Sequence, residues 1–197
     1  MSEFRPSLAE LLEEVRACRA CAGSLPHEPR PVLRVSGTAR LLIVGQAPGR
    51  LVHETGIPWN DPSGRRLRQW LDMSDQAFYD ISRVAIVPVG MCYPGTVDGA
   101  DLPPRRECAP LWHARIGQLL GEVRLTLLVG SYAHAFYLGA RRKRGMTETV
   151  AAHEEYLPAY LPLPHPSWRN TGWLKRNPWF ESGLLPVLRD RVRAALG

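Results

Sequence analysis

The sequence predicts an α/β fold, with a central four-stranded, mainly parallel sheet and helices on both faces. Three observations carry that expectation. Four short apolar runs, at 40–44, 84–89, 125–129 and 159–163, are continuous rather than alternating, the pattern of strands buried on both faces. Helical segments lie between them, and alternation of strand with helix favours parallel crossovers. The chain has 197 residues, 45% hydrophobic and 22% charged, which suits one domain over 1–197 with a sizeable core.

The elements follow in order. A first helix is expected from about Ser7 to Arg19, where Leu8, Leu11, Leu12 and Val15 recur at helical spacing. The strand at 40–44 runs into "GQAPG", and a helix is expected over 64–72. The strand at 84–89 runs into "GMCYPG" and then "YPGTVDGADLPPRR" (93–106), a Pro/Gly-rich stretch read as loop. Helices are expected at 107–120 and 131–138 on either side of the third strand, and another near 146–154. The fourth strand leads into "LPHPSW", and a last helix spans 183–196. Ligands of parallel sheets collect at the carboxyl ends of the strands, so these exit segments are the candidate site.

No apolar run approaches the ~20 residues that span a membrane. The N-terminal "MSEFRPSLAELLEEV" lacks a signal peptide's apolar stretch, so a cytoplasmic protein without membrane contact is expected. Net charge is +6, from 25 Lys+Arg against 19 Asp+Glu. That balance suits a polyanionic partner without requiring one. "RRKRG" (141–145) is a compact basic cluster, and Trp168, Arg169, Trp173, Lys175, Arg176 and Trp179 interleave cations with aromatics. The second stretch reads either as basic surface beside core tryptophans or as a groove that tracks a nucleic-acid backbone.

Cys18 and Cys21 form a C-x2-C at the end of the first helix, and Cys92 and Cys108 are separated by fifteen residues. Disulfides are the least expected use in a cytoplasmic protein. Four cysteines including one C-x2-C favour a four-thiolate site, for zinc or a [4Fe–4S] cluster, and spacing alone does not separate the two. Buried, inert thiols are the alternative. The turn "GQAPG" is no phosphate loop: it lacks the G-x4-G-K-[ST] and G-x-G-x2-G patterns, and its proline removes a backbone donor.

"GQAPG" after the first strand, the following "GIPW", "HPS" after the last strand and the four cysteines together resemble the uracil-DNA glycosylase superfamily. The iron–sulfur families 4 and 5 are the nearest in motif order. The resemblance covers the chain from Cys18 to the last helix. It implies a three-layer α/β/α fold, a structural [4Fe–4S] cluster on Cys18, Cys21, Cys92 and Cys108, DNA as partner, and removal of a damaged base in DNA repair; a monomer is expected.

Residue by residue, the resemblance makes His165 the donor to the departing base and Trp59 the aromatic that stacks on it. Ser167 orients the turn, and Trp168, Arg169 and Asn170 belong to a loop that enters the duplex, with Lys175 and Arg176 beside it. Two positions depart from the family pattern. The family 4 turn is "GEAPG", and its catalytic glutamate is here Gln46, which cannot act as a base. Gln46 and Ala47 are left to hold the base. "NDPSG" resembles a family 5 motif that carries an aspartate, so Asp61 is the candidate acid, although Asp-Pro-Ser-Gly also reads as a helix N-cap with proline at the first position. Glu54 and His53 are the other polar groups of that loop. Families that select uracil end the second strand with asparagine, here Pro88, so hypoxanthine or xanthine join uracil as candidates, with Asn60 as a substitute amide. The rival expectation is a member that binds an extruded base without hydrolysing it.

Overall fold

The computed structural model describes residues 7–197. The elements in chain order are α1 (Leu8–Arg16), β1 (Leu41–Val44), α2 (Arg50–Thr55), α3 (Pro62–Leu71), α4 (Asp75–Phe78) and β2 (Val84–Ile86). They continue with β3 (Thr96–Val97), β4 (Ala100–Asp101), α5 (Cys108–Gln118), β5 (Leu125–Val129), α6 (Ser131–Leu138), α7 (Met146–Ala151), β6 (Tyr160–Leu163), α8 (Thr171–Arg176) and α9 (Leu185–Leu196).

The main sheet has strand order β2-β1-β5-β6 and is parallel throughout. Alternation of side chains sends Leu41 and Ile43 to one face and Leu42 and Val44 to the other. The first face packs against Leu67 and Trp70 of α3, Phe180, and Leu188 and Val192 of α9. The second packs against Leu11 and Val15 of α1, Trp112 and Ile116 of α5, and Leu138 of α6. The result is three layers, α/β/α. Leu185, Leu188, Val192, Ala195 and Leu196 are buried at helical spacing, which gives α9 one apolar stripe. Each fully buried Leu, Ile or Phe contributes about 1.5–3 kcal/mol of transfer free energy.

Local chemistry sets the ends. Ser7 and Glu10 form a reciprocal capping box on α1. The helix stops at Arg16 rather than Arg19, and Ala17 turns the chain so that Cys18 and Cys21 leave it. β2 ends at Ile86, three residues before the apolar run does, although the Val87 and Val89 N–H groups still donate to the Ile43 and Gly45 carbonyls. The stretch 146–154 divides into α7 and a 3₁₀ turn at His153–Tyr156.

The segment 93–106 is not simply loop. Thr96–Val97 and Ala100–Asp101 pair as an antiparallel hairpin. Its turn is Asp98-Gly99, with φ of 49° and 70° at the two central residues, the conformation of a two-residue type I′ turn that Asp-Gly favours. α2 and α8 are further additions, each of six residues, too short for a periodic pattern.

Candidate active site at the carboxyl ends of the strands

A cavity of about 600 Å³ opens where β1, β2 and β6 end. Its walls come from the turn after β1 (Gly45 to Gly49), from Trp59, Asp61 and Ser63 at the start of α3, from Pro88, from the hairpin and from His165 to Asn170.

Trp59 is built into this wall by close backbone packing. Its φ is 58°, a left-handed conformation that is an outlier for a bulky residue. A Cβ on Gly64 would lie 1.7 Å from the Trp59 carbonyl oxygen, and one on Gly45 would lie 2.8 Å from the Trp59 ring. Only glycine fits at both positions. Arg68 Nη1 donates to the Trp59 carbonyl at 3.2 Å, and the Tyr79 hydroxyl donates to the Pro58 carbonyl at 3.0 Å. The indole stands 5.6 Å, centroid to centroid, from the His165 ring at 32°.

His165 follows β6 and backs onto Gly130, where φ is 90° and a Cβ would meet the His165 Cβ at 3.4 Å. Asn170 Nδ2 donates to the His165 carbonyl at 2.7 Å, and Arg66 Nη1 donates to the Ser167 carbonyl at 3.0 Å. These bonds tie the loop to itself and to α3. Burial pushes the His165 pKa below 6.5, while the carboxylates of Asp61 and Asp101 pull it back. The imidazole is neutral at neutral pH and carries one N–H to donate. Among the described residues no protein group hydrogen-bonds its ring nitrogens, and the residue lines the cavity.

Asp61 caps α3: its Oδ1 accepts the Gly64 N–H at 2.8 Å, with Pro62 behind it. Capping and a place on the cavity wall therefore coexist. Gln46 and Ala47 line the cavity, but the Gln46 amide donates to the Leu102 carbonyl at 3.3 Å. Pro88 lines it as well, and its carbonyl accepts from Nε2 of the buried His113 at 3.0 Å. Ser167, Trp168, Arg169 and Asn170 stand at the mouth. Trp168 is 73% exposed with the Arg169 guanidinium 5.4 Å from its ring, and Arg169 Nη2 donates to the Gly99 carbonyl at 2.6 Å.

Other expected groups lie elsewhere. Asn60 is exposed outside the cavity, on a shallow polar groove with Arg65, Asp72 and Asp75, because the left-handed Trp59 turns the chain between them. Glu54 is a surface residue 3.7 Å from Arg50. His53 is off the cavity wall, packed beside His27 and Tyr93. Lys175 and Arg176 are exposed on α8. Trp173 and Trp179 pack edge to face in the core, so those two aromatics are no part of a groove. Sequence reasoning missed Asp101 and Arg66 on the wall. The Asp-Gly pair at 98–99 is the signal that places Asp101 on a strand.

A model of the Uracil DNA glycosylase superfamily matches residues 34–189. The chain belongs to that superfamily. Among solved structures it is similar to a solution NMR structure from Methanosarcina acetivorans, described provisionally as a uracil DNA glycosylase. The TM-score is 0.45 at 17% identity, covering 80% of this chain and 93% of that one.

In this superfamily member the four cysteines line one small cavity of about 20 Å³, with Arg105 and Trp112. Cys18 and Cys21 follow α1, Cys92 follows β2, and Cys108 opens α5. Burial pushes the Cys92 and Cys108 thiols up to about 11 and about 12. The Met91 N–H donates to Cys108 Sγ at 3.3 Å. Among the described residues no group of three or more His, Cys, Asp or Glu side chains is arranged to hold a metal ion. The donor set, four thiols around one small cavity with a backbone N–H on one sulfur, is of the type that holds zinc or an iron–sulfur cluster. Among the described residues no helix is long and apolar enough to cross a membrane.

Proposed function

We propose that this superfamily member is a DNA glycosylase, hydrolysing the N-glycosidic bond of a damaged or modified base, uracil or another deaminated base, in DNA repair. The observation that carries the reading is the pairing of Trp59 with a neutral His165, side by side on the cavity wall that also holds the Asp61 carboxylate. An extruded base needs an aromatic face to stack on and a donor for its carbonyl oxygen as negative charge develops there. The sugar, left cationic, needs a carboxylate.

Trp59 stacks on the base and His165 donates to its oxygen. The backbone of Gln46 and Ala47 closes the pocket edge, since the Gln46 amide is already engaged by Leu102. Asp61 stabilises the sugar cation with the carboxylate that also caps α3. Ser167, Trp168, Arg169 and Asn170 enter the DNA, with Trp168 as wedge, and Lys175 and Arg176 meet phosphates. The protein acts as a monomer. Cys18, Cys21, Cys92 and Cys108 hold a [4Fe–4S] cluster that contributes structure rather than chemistry, because four thiolates leave no open position for substrate.

The test is a panel of oligonucleotides bearing uracil, hypoxanthine, xanthine or a larger modified base, incubated with protein and then cleaved at abasic sites with alkali. Base release from at least one substrate is expected, lost in Asp61→Asn with DNA binding retained. Binding without release from any member of the panel would overturn the glycosylase reading in favour of a recognition protein.

A further inference from the structure

Hydrolysis of the glycosidic bond needs a second service besides cation stabilisation, removal of a proton from the attacking water. Among the described residues only two carboxylates line the cavity, Asp61 and Asp101. Asp61 caps α3 with one oxygen and is assigned to the sugar cation. Asp101 caps no helix. It ends the exposed strand β4, where aspartate is a disfavoured residue, and its side-chain bond is to the cross-strand Thr96.

The carboxylate is nevertheless held in place. Its Oδ1 accepts the Thr96 hydroxyl at 3.1 Å, and Thr96 is hydrogen-bonded in turn to the Tyr93 hydroxyl. Its Oδ2 faces the turn after β1, 3.6 Å from where a Cβ on Gly49 would stand. The hairpin that carries it is fastened on both sides. Gln46 bonds to Leu102 just beyond β4, and Arg169 bonds to Gly99 at the tip. Asp101 is thereby suspended between the turn after β1 and the loop after β6. Its charge is felt by His165. The turn after β1 carries no acid of its own, and the hairpin delivers one to it.

We propose that Asp101, presented from the β3–β4 hairpin, is the catalytic base that activates the water in this active site. The inference rests on the glycosylase reading. The C1′–N bond breaks and its electron pair leaves with the base, which departs as an anion held by a hydrogen bond from the neutral His165 and takes its proton later from solvent. A water oxygen bonds to C1′, and the proton that it loses passes to Asp101 Oδ2. The products are the free base and an abasic sugar with a hydroxyl at C1′.

The experiment compares single-turnover base release by wild type, Asp101→Asn, Asp101→Ala and Asp61→Ala on a substrate that the wild type processes. Binding to a duplex with an abasic-site analogue and the thermal midpoint are measured alongside. For Asp101→Asn the expected loss is about 100-fold or more in rate, with analogue binding and midpoint unchanged. Azide, an anionic nucleophile that needs no deprotonation, should partly restore Asp101→Ala and leave Asp61→Ala unrestored. An active wild type with Asp101→Asn at full rate, or Asp101→Ala indifferent to azide, overturns the role of Asp101 alone. A wild type that releases no base overturns the glycosylase reading and this role with it.

Discussion

Trp59 shows how much of the site depends on residues behind the cavity wall, such as Gly64 and Arg68. Its left-handed backbone costs roughly 1–2 kcal/mol for an L-residue with a side chain, and several contacts offset that cost. Gly64 lets the helix backbone close on the Trp59 carbonyl, and Arg68, itself buried and 2.6 Å from Asp75, donates to the same oxygen. Gly64→Ala therefore forces a steric conflict with backbone rather than with a flexible side-chain end. We expect a loss of more than about 2 kcal/mol in urea unfolding, with an altered Trp59 fluorescence spectrum in whatever fraction stays folded. Gly23→Ala, where a Cβ meets nothing within 4 Å, is the control and should leave both readouts unmoved.

At the scale of elements, two helices of one layer bring cysteines to one small cavity. Cys18 and Cys21 hang from the end of α1, Cys108 begins α5, and Cys92 lies on the segment between β2 and the hairpin. A group bridging them would brace α1 and α5 against the strand that leads to the cavity. Protein purified without oxygen should be brown and carry about four iron atoms per chain, the content of one [4Fe–4S] cluster. Cys108→Ser should lose the iron and the colour together. A colourless protein with one equivalent of zinc would defeat the assignment. The high pKa of Cys92 and Cys108, about 11 and about 12, means that binding must displace protons, so iron content should fall in preparations reconstituted at acid pH.

The whole molecule carries a further titration that bears on stability. His134 is buried on α6, with Nε2 3.0 Å from the Leu128 carbonyl and 3.1 Å from the Leu163 carbonyl, at the ends of β5 and β6. Burial lowers its pKa from 6.5 to about 4. A histidine depressed in the folded state binds its proton more readily when unfolded. Its contribution is therefore complete above pH 6.5 and is lost as pH falls through about 4. Across that window urea unfolding should lose roughly 3 kcal/mol from this group. A His134→Gln variant, less stable at neutral pH, should show a flatter limb between pH 6.5 and 4. The wild type and the variant falling in parallel would remove His134 from the account.

The sequence by itself determined the layers and the exits. Continuous apolar runs such as Leu41 to Val44 have no polar face to present, so they must lie inside a parallel sheet. The "GQAPG" turn and "HPS" must then meet at its carboxyl edge. Periodicity and end signals are local, and local patterns are legible in one dimension. Tertiary structure decided what local pattern cannot encode. Asn60 and Trp59 are neighbours in the chain, yet one left-handed residue sends them to different surfaces. Asp101 and Gln46 are distant in the chain, yet a type I′ turn and two hydrogen bonds bring that carboxylate to the cavity. Asp61 has both a cap and a cavity wall to serve, because packing of α3 against the sheet aims its N-terminus at the site. Side-chain direction and long-range proximity arise from packing and φ at particular residues, and these set which acids face the pocket.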